Sequence, residues 1–332
     1  MTAVPRVLPL LLTVLLLALL TMTAARAQAP ANTLDLSGYQ DQDGAISVLH
    51  GGASVDPYFA LQALLLARDN GLDISQAATR WAHWLAPRQK PDATFDRFCR
   101  HGPVWAACQR ADADDSLLAL WLQLLDTMPR ATQANARWRD SHRSAAVALR
   151  RLLDPGRGVY LVSQVYPHGL LMDNLEVWSY HSAAGTPAGG QAAQALAGAI
   201  QRTFWDRPTQ RFLVSTQPEQ KHETPKFYPD AVAQVFPLLV GFPWLPMPQP
   251  RYYQRWMQAH RAEWLDQVRH DYAWGLIAVL AWQQRDAASA RCWLRATRDY
   301  RHSGHWTVTD DVALQILAHH GLQPAEDQAD CR

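Results

Sequence analysis

Six aspartates are the residues in this chain best placed to do chemistry. Asp56, Asp114, Asp173, Asp230, Asp271 and Asp310 each stand at the head of an apolar run, such as PYFALQALLLA after Asp56, NLEVWSYHSAAG after Asp173 and YAWGLIAVLAW after Asp271. At two of the six the acid is doubled, by Asp115 and Asp311. A carboxylate at a helix start accepts a bond from the first free N–H groups and sits well in the helix dipole, worth about 1 kcal/mol. Carboxyls gathered at one place can also move protons: a protonated one acts as general acid while an ionised one activates water or attacks carbon. Asp173 and Glu176 stand three apart, on one face of a first turn, where they read either as a capping pair or as part of such a set. Aromatic residues accompany these starts: Tyr58 and Phe59, Trp178 and Tyr180, Tyr272 and Trp274. Others, Trp105, Tyr166, Trp205, Tyr228 and Trp306, fall in the intervening loops.

The elements that must position them follow from periodicity. Helical patterns are predicted over Pro57–Arg68 (stopped by Gly71), Ser75–Leu85 (before Pro87), Ser116–Met128 and Thr132–Leu153 (before Pro155). Further ones begin near Asn174, Gly190, Ala231, Arg251, Tyr272, Ala287 and Asp311. The aspartate-led helices recur at intervals of 57–59 residues as far as Asp230 and 39–41 thereafter, and the helices between them are polar and Arg-rich, ANARWRDSHRSAAVALRRLL most plainly. Regular helix pairs of this kind bury their apolar faces only against neighbouring pairs. Six pairs closing on themselves predict an all-α fold, an (α/α)6 toroid of six helical hairpins with the apolar helices inside. Gly158–Ser163 and Arg211–Ser215 read as short β pieces in its loops. Parallel inner helices would gather their N-termini at one mouth and make a carboxylate-lined cup.

Aromatic faces pack against the C–H faces of sugars and carboxylates accept bonds from hydroxyls, so an acidic aromatic cup suits a glycan. Of the 14 tryptophans, those in mid-helix (Trp81, Trp84, Trp121, Trp138, Trp256, Trp264) read as core filler. At this point the sequence resembles the six-hairpin glycosidases, and among them most nearly the family 8 glycoside hydrolases. Ala111-Asp112-Ala113-Asp114-Asp115 is similar to that family's motif opening an inner helix, which implies that Asp114 binds and distorts the sugar. Lys226-Phe227-Tyr228-Pro229-Asp230-Ala231 looks like its Tyr-Asp-Ala segment, which implies Asp230 as catalytic base. The family's general acid is a glutamate before the first inner helix. Here that stretch reads His50-Gly-Gly-Ala-Ser-Val-Asp56, leaving Asp56 or Glu176 as the catalytic acid. Asp115, Asp173, Trp105, Trp178, Tyr180, Tyr228, Tyr272 and Trp274 complete the expected substrate-binding set.

Other chemistries are less well served. Asp112-x-Asp114-Asp115 also reads as the acid motif of class II terpene cyclases, but no repeated Gln-Trp signature accompanies it. A polysaccharide lyase would use Tyr180 or His181 as base beside Asn174 and an arginine. A non-catalytic glycan-binding or polysaccharide-secretion protein is the reading from a different class. Asp41-x-Asp43-Gly44 lacks the closing acid of a calcium loop. No phosphate-binding loop, dinucleotide fingerprint or nucleophile elbow is present, so neither a cofactor nor a metal is expected.

Arg6, the apolar run Leu8–Thr21 and Ala25-Arg26-Ala27 read as a signal peptide ending at residue 27. Cleavage there removes two arginines and no acid, taking the formal net charge from +1 to −1. A near-neutral exported chain with no further membrane span argues against nucleic acid as a partner. A periplasmic or secreted protein acting on carbohydrate is the expectation. Residues 28–47 read as a flexible leader, 48–323 as the toroid and 324–332 as a tail. Of the three pairings open to four cysteines, Cys99–Cys108 with Cys292–Cys331 is preferred, since it closes a local loop and pins the tail.

Overall fold

The computed structural model describes residues 32–129, 134–217, 225–326 and 331; the expected signal peptide lies outside the described residues. Leu34 onward forms one unit. Six helices form its inner ring: α1 (Pro57–Asp69), α3 (Asp114–Thr127), α5 (Leu171–Ala183), α7 (Val232–Leu239), α9 (Gly275–Gln283) and α11 (Val308–His319). Each packs against the next, and α11 closes back on α1. Five outer helices alternate with them: α2 (Ser75–Leu85), α4 (Ala136–Arg151), α6 (Pro187–Phe204), α8 (Gln249–Asp266) and α10 (Ala287–Ala296). The fold is therefore the α/α toroid expected, with one departure: among the described residues α11 has no outer helical partner. No described helix is long and apolar enough to cross a membrane.

The segment expected as a flexible leader packs instead. Leu34, Leu36, Tyr39 and Ile46 are buried in the main core, because their apolar side chains cover the seam between the first and last inner helices. Leu34 N–H donates to Asp73 O, Asp35 and Gln315 exchange hydrogen bonds, and Val308 N–H donates to Val48 O.

The main sheet is one the periodicity did not announce. β2 (Asp96–His101) and β3 (Val104–Arg110) form an antiparallel hairpin, with β1 (Ser54–Val55) pairing on β2. The Cys99–Cys108 disulfide crosses this hairpin, and Cys292–Cys331 ties the tail to α10, the pairing preferred from spacing. Of the β pieces expected, Arg211–Phe212 forms β5 against β4 (Trp205–Asp206). Gly158–Ser163 contributes only the bridge Leu153↔Tyr160.

All six mid-helix tryptophans named above are buried. Their apolar area stabilises by roughly 2–3 kcal/mol per side chain, and three of the core indoles also hold loops. Trp256 Nε1 donates to Ala231 O, Trp264 Nε1 to Trp274 O and Trp293 Nε1 to Ala273 O. Gly275 opens α9 against α11 so closely that an added Cβ would lie 2.6 Å from the Cβ of Ala313.

Candidate active site

Local geometry first separates the six aspartates, which do not share one role. Only Asp56 occupies the capping position, its carboxylate accepting from Tyr58 N–H at 3.0 Å. Asp114 and Asp115 are the first two residues of α3, and Asp173 is the third of α5. Asp310 is the third residue of α11 and closes a capping box with Thr307. It also accepts Gly275 N–H at 2.7 Å, joining the start of α11 to that of α9. Asp230 lies in a wide turn, Phe227–Ala231, and Asp271 stands four residues ahead of α9.

The starts of all six inner helices meet at a cleft of about 430 Å³. Asp56, Tyr58, Arg97, Asp112, Asp173, Tyr228, Asp271, Tyr272, Trp274 and Asp310 are on its walls. Three of the acids on these walls are already engaged. Arg97 from β2 pairs with Asp56 Oδ2 at 2.7 Å and with Asp112, and Asp310 is filled by Thr307 and Gly275. Behind the wall, Glu176 Oε1 accepts from Tyr58 O–H at 2.8 Å, and Gln62 Nε2 donates to Tyr58 Oη at 2.9 Å. Asp271 differs: half-buried on the wall, its carboxylate is drawn into no hydrogen bond or ion pair among the described residues.

Asp173 differs again. Only 9% exposed, it lines the cleft with Oδ2 unpartnered. Burial pushes its carboxyl up to about 7, partly opposed by Asp115 and reinforced by the charge of Asp112. Asp115 and Glu176 are buried beside it, and burial raises both well above the carboxylate range. Three carboxyls crowded into a low dielectric cannot all ionise, so protons neutralise the group. Asp56 is also pushed up by burial, while the Arg97 guanidinium pulls it down. Its ion pair ties that carboxyl to Arg97 rather than freeing it to give up a proton.

The aromatic walls come from the loops that the core indoles hold. Tyr228 is 50% exposed and stacks on Trp274, ring centres 5.3 Å apart. Trp274 has a left-handed backbone (φ 54°) and a buried, unpartnered indole N–H. A bulky residue in that region carries strain of order 1–3 kcal/mol, characteristic of functional sites. Tyr272 meets Phe59 edge to face at 5.7 Å.

Several expected residues lie elsewhere. Asp230 is not on the cleft wall; its Oδ2 turns back to accept from Lys226 N–H at 2.8 Å. Asp114 lines a neighbouring cavity, its carboxyl pushed up to about 6 by burial. Trp105 is buried and donates to Asp41, and Trp178 is buried against Phe242. Tyr180 packs beside His181, which bonds to Tyr160 Oη at 3.0 Å, away from the cleft. Asn174 spends its amide on Tyr160 and Leu170. Of the trio that a lyase would use, His181 and Asn174 are thus committed to Tyr160 and its loop, and Tyr180 lies off the cleft wall beside them. The acids of Asp112-x-Asp114-Asp115 face three different surroundings: the cleft rim, the neighbouring cavity and the interior. Arg97 was missing from the expected site, and Asp271 was expected in the acidic cup without a role of its own. Arg97 stands two residues before Cys99 on β2, a signal readable only once that strand is recognised.

No protein-family model matches the chain and no curated protein matches its sequence. Solved structures match it in fold. An α-amylase from Clostridium perfringens is 7% identical, with 85% of this chain and 93% of that one covered and a TM-score of 0.57. The GH63 mannosylglycerate hydrolase of Thermus thermophilus, solved in complex with glucose, is 12% identical, with 86% and 98% covered and a TM-score of 0.53. A D-mannose isomerase is 9% identical, with 96% and 100% covered and a TM-score of 0.51. At such identities the likeness is one of fold.

Proposed function

We propose that this protein is an exported glycoside hydrolase whose cleft takes a saccharide between the Tyr228–Trp274 stack and the carboxyl of Asp173. The observation that carries the reading is Asp173 itself: a largely buried carboxyl on the wall of an aromatic cleft, its proton held to near neutral pH by burial and its Oδ2 without a hydrogen-bond partner. Such a group can give its proton to a glycosidic oxygen as the bond breaks. Asp271, an unengaged carboxylate on the same wall, is the second carboxylate that the reaction needs, to direct water or to meet the anomeric carbon. The rings of Trp274 and Tyr228 form the platform for the sugar face. Arg97 fixes Asp56 and Asp112 as acceptors on the rim. That two of the matched structures bear glycosidase names, amylase and mannosylglycerate hydrolase, supports the class. Two disulfides support export to the periplasm or beyond.

A family 8-like scheme, with Asp230 as base and Asp56 or Glu176 as acid, is the finer alternative, and mutants separate the two. Reducing-sugar release is measured on β-glucans, α-glucans, mannans and uronate polymers. Asp173→Asn is expected to lower kcat/KM by about 10²- to 10⁴-fold, with Asp271→Asn comparably impaired and Asp230→Asn close to wild type. Full activity in Asp173→Asn would sink the assignment, and loss confined to Asp230→Asn would restore the family 8 scheme. Binding without turnover on every polymer would make the protein a glycan-binding one. An unsaturated, ultraviolet-absorbing product from a uronate would make it a lyase.

A further inference from the structure

A second cavity, of about 680 Å³, adjoins the cleft, and Ala111 and Asp112 line both. They form a saddle between the two, held from the cleft side by the Arg97–Asp112 ion pair. The two cavities are each of the size that binds a compact small molecule. The second one also pairs an exposed aromatic with charged groups. Tyr166 is 60% exposed on its wall and Val165 62%, large apolar side chains left in solvent. Asp114, partly buried, lines the same space, as do the exposed Arg110 and Arg151. An aromatic face with acceptors and donors around it is again the composition of a glycan contact. Asp114 thereby has a place as a substrate acceptor in the cavity next to the Asp173 cleft.

We infer that the substrate is a chain of sugars rather than a mono- or disaccharide, running from the cleft across the Ala111–Asp112 saddle into the second cavity, where Tyr166 is its second platform. The inference rests on the glycoside reading and deepens it. One cavity would be filled by a short saccharide. Two adjoining cavities spanned by one ligand would reward each further sugar until the second is full, so catalytic efficiency rises with chain length and then levels. Tyr166 sits on the surface, so removing its ring leaves the fold intact and removes only the far contact.

The test uses end-labelled β-1,4-glucan, α-1,4-glucan and β-1,4-mannan ladders of increasing length, with wild type, Tyr166→Ala and Asp114→Asn. On the ladder that is cut, wild-type kcat/KM is expected to climb with length. Tyr166→Ala is expected to flatten that climb, costing about fivefold to tenfold more on the longest member than on the shortest, and Asp114→Asn should act in the same sense. Unchanged thermal unfolding of Tyr166→Ala confirms that the loss is one of contact. A length-independent wild type, or a Tyr166→Ala loss equal at every length, overturns the inference while leaving hydrolysis standing. If no ladder is cut, tryptophan fluorescence titration with the same ladders decides. Length-dependent affinity lost in Tyr166→Ala keeps the groove and removes the hydrolase, and no binding at any length overturns both.

Discussion

At the scale of single residues, the chemistry turns on which carboxyls are free to exchange a proton. Asp173 has a high affinity for its proton because burial penalises its charged form. In the proposed role of general acid it works only while protonated. The kcat/KM profile is therefore expected to fall on the alkaline side with a midpoint near 7, about tenfold per pH unit beyond it, on whichever glycan proves to be the substrate. A profile flat to about pH 9 would show that the proton comes from another group. The identities of the six aspartates were legible in the sequence, because an acid before an apolar run is a local signal. Their roles were not. Asp230 and Asp271 stand in like positions before apolar runs, yet a wide turn sends the first back onto Lys226 while the loop residues ahead of α9 leave the second on the cleft wall. Those differences are made by backbone turns, which side-chain spacing does not encode.

At the scale of elements, the hairpin β2–β3 carries Arg97 to the rim, and its disulfide matters for a different reason from the other one. Cys99–Cys108 closes a separation of 9 residues and Cys292–Cys331 one of 39. Loop entropy assigns about 2.5 kcal/mol to the first and about 4 kcal/mol to the second. Paired Cys→Ser variants should thus lower Tm more for Cys292/Cys331. The Cys99/Cys108 variant should lose more catalytic efficiency per degree of Tm, since its hairpin holds Arg97 beside Asp56 and Asp112. Equal activity in both would detach the hairpin from the site. The hairpin was missed in the sequence because its strands alternate poorly: β3 is mostly exposed along its length. The helices, with their longer apolar periods, were readable to within a few residues. Their capping was not, since only one of the six aspartates takes the capping position.

At the scale of the whole molecule, the buried acids in and beside the cleft have a thermodynamic cost that depends on pH. Asp114 and Asp310 are pushed up to about 6 and Asp173 to about 7, all chiefly by burial, from an ordinary value of 3.8. Between those values the folded chain holds protons that the unfolded chain releases. Their contribution to stability is complete below about pH 4 and is lost as pH rises through about 6 and 7. Tm is therefore expected to be higher at about pH 5 than at about pH 8, against the usual behaviour of a paired carboxylate. A rise in Tm over that interval would show these acids to be ionised in the fold. Asp173→Asn and Asp310→Asn should each shrink the difference.

The ring also imposes an order of assembly. Its seam is sealed by Leu34, Leu36, Tyr39 and Ile46 from near one end of the described chain, against α11 near the other. Asp310, which joins α9 to α11 at the mouth of the cleft, lies in that last helix. A chain still emerging end first can pair neighbouring helices as they appear, but it cannot close the circle or finish the cleft before α11 arrives. A fragment cut short before α11 would thus be an open arc with an apolar flank and an unfinished cleft, and the cleft would be completed all at once, with the last turn of the ring.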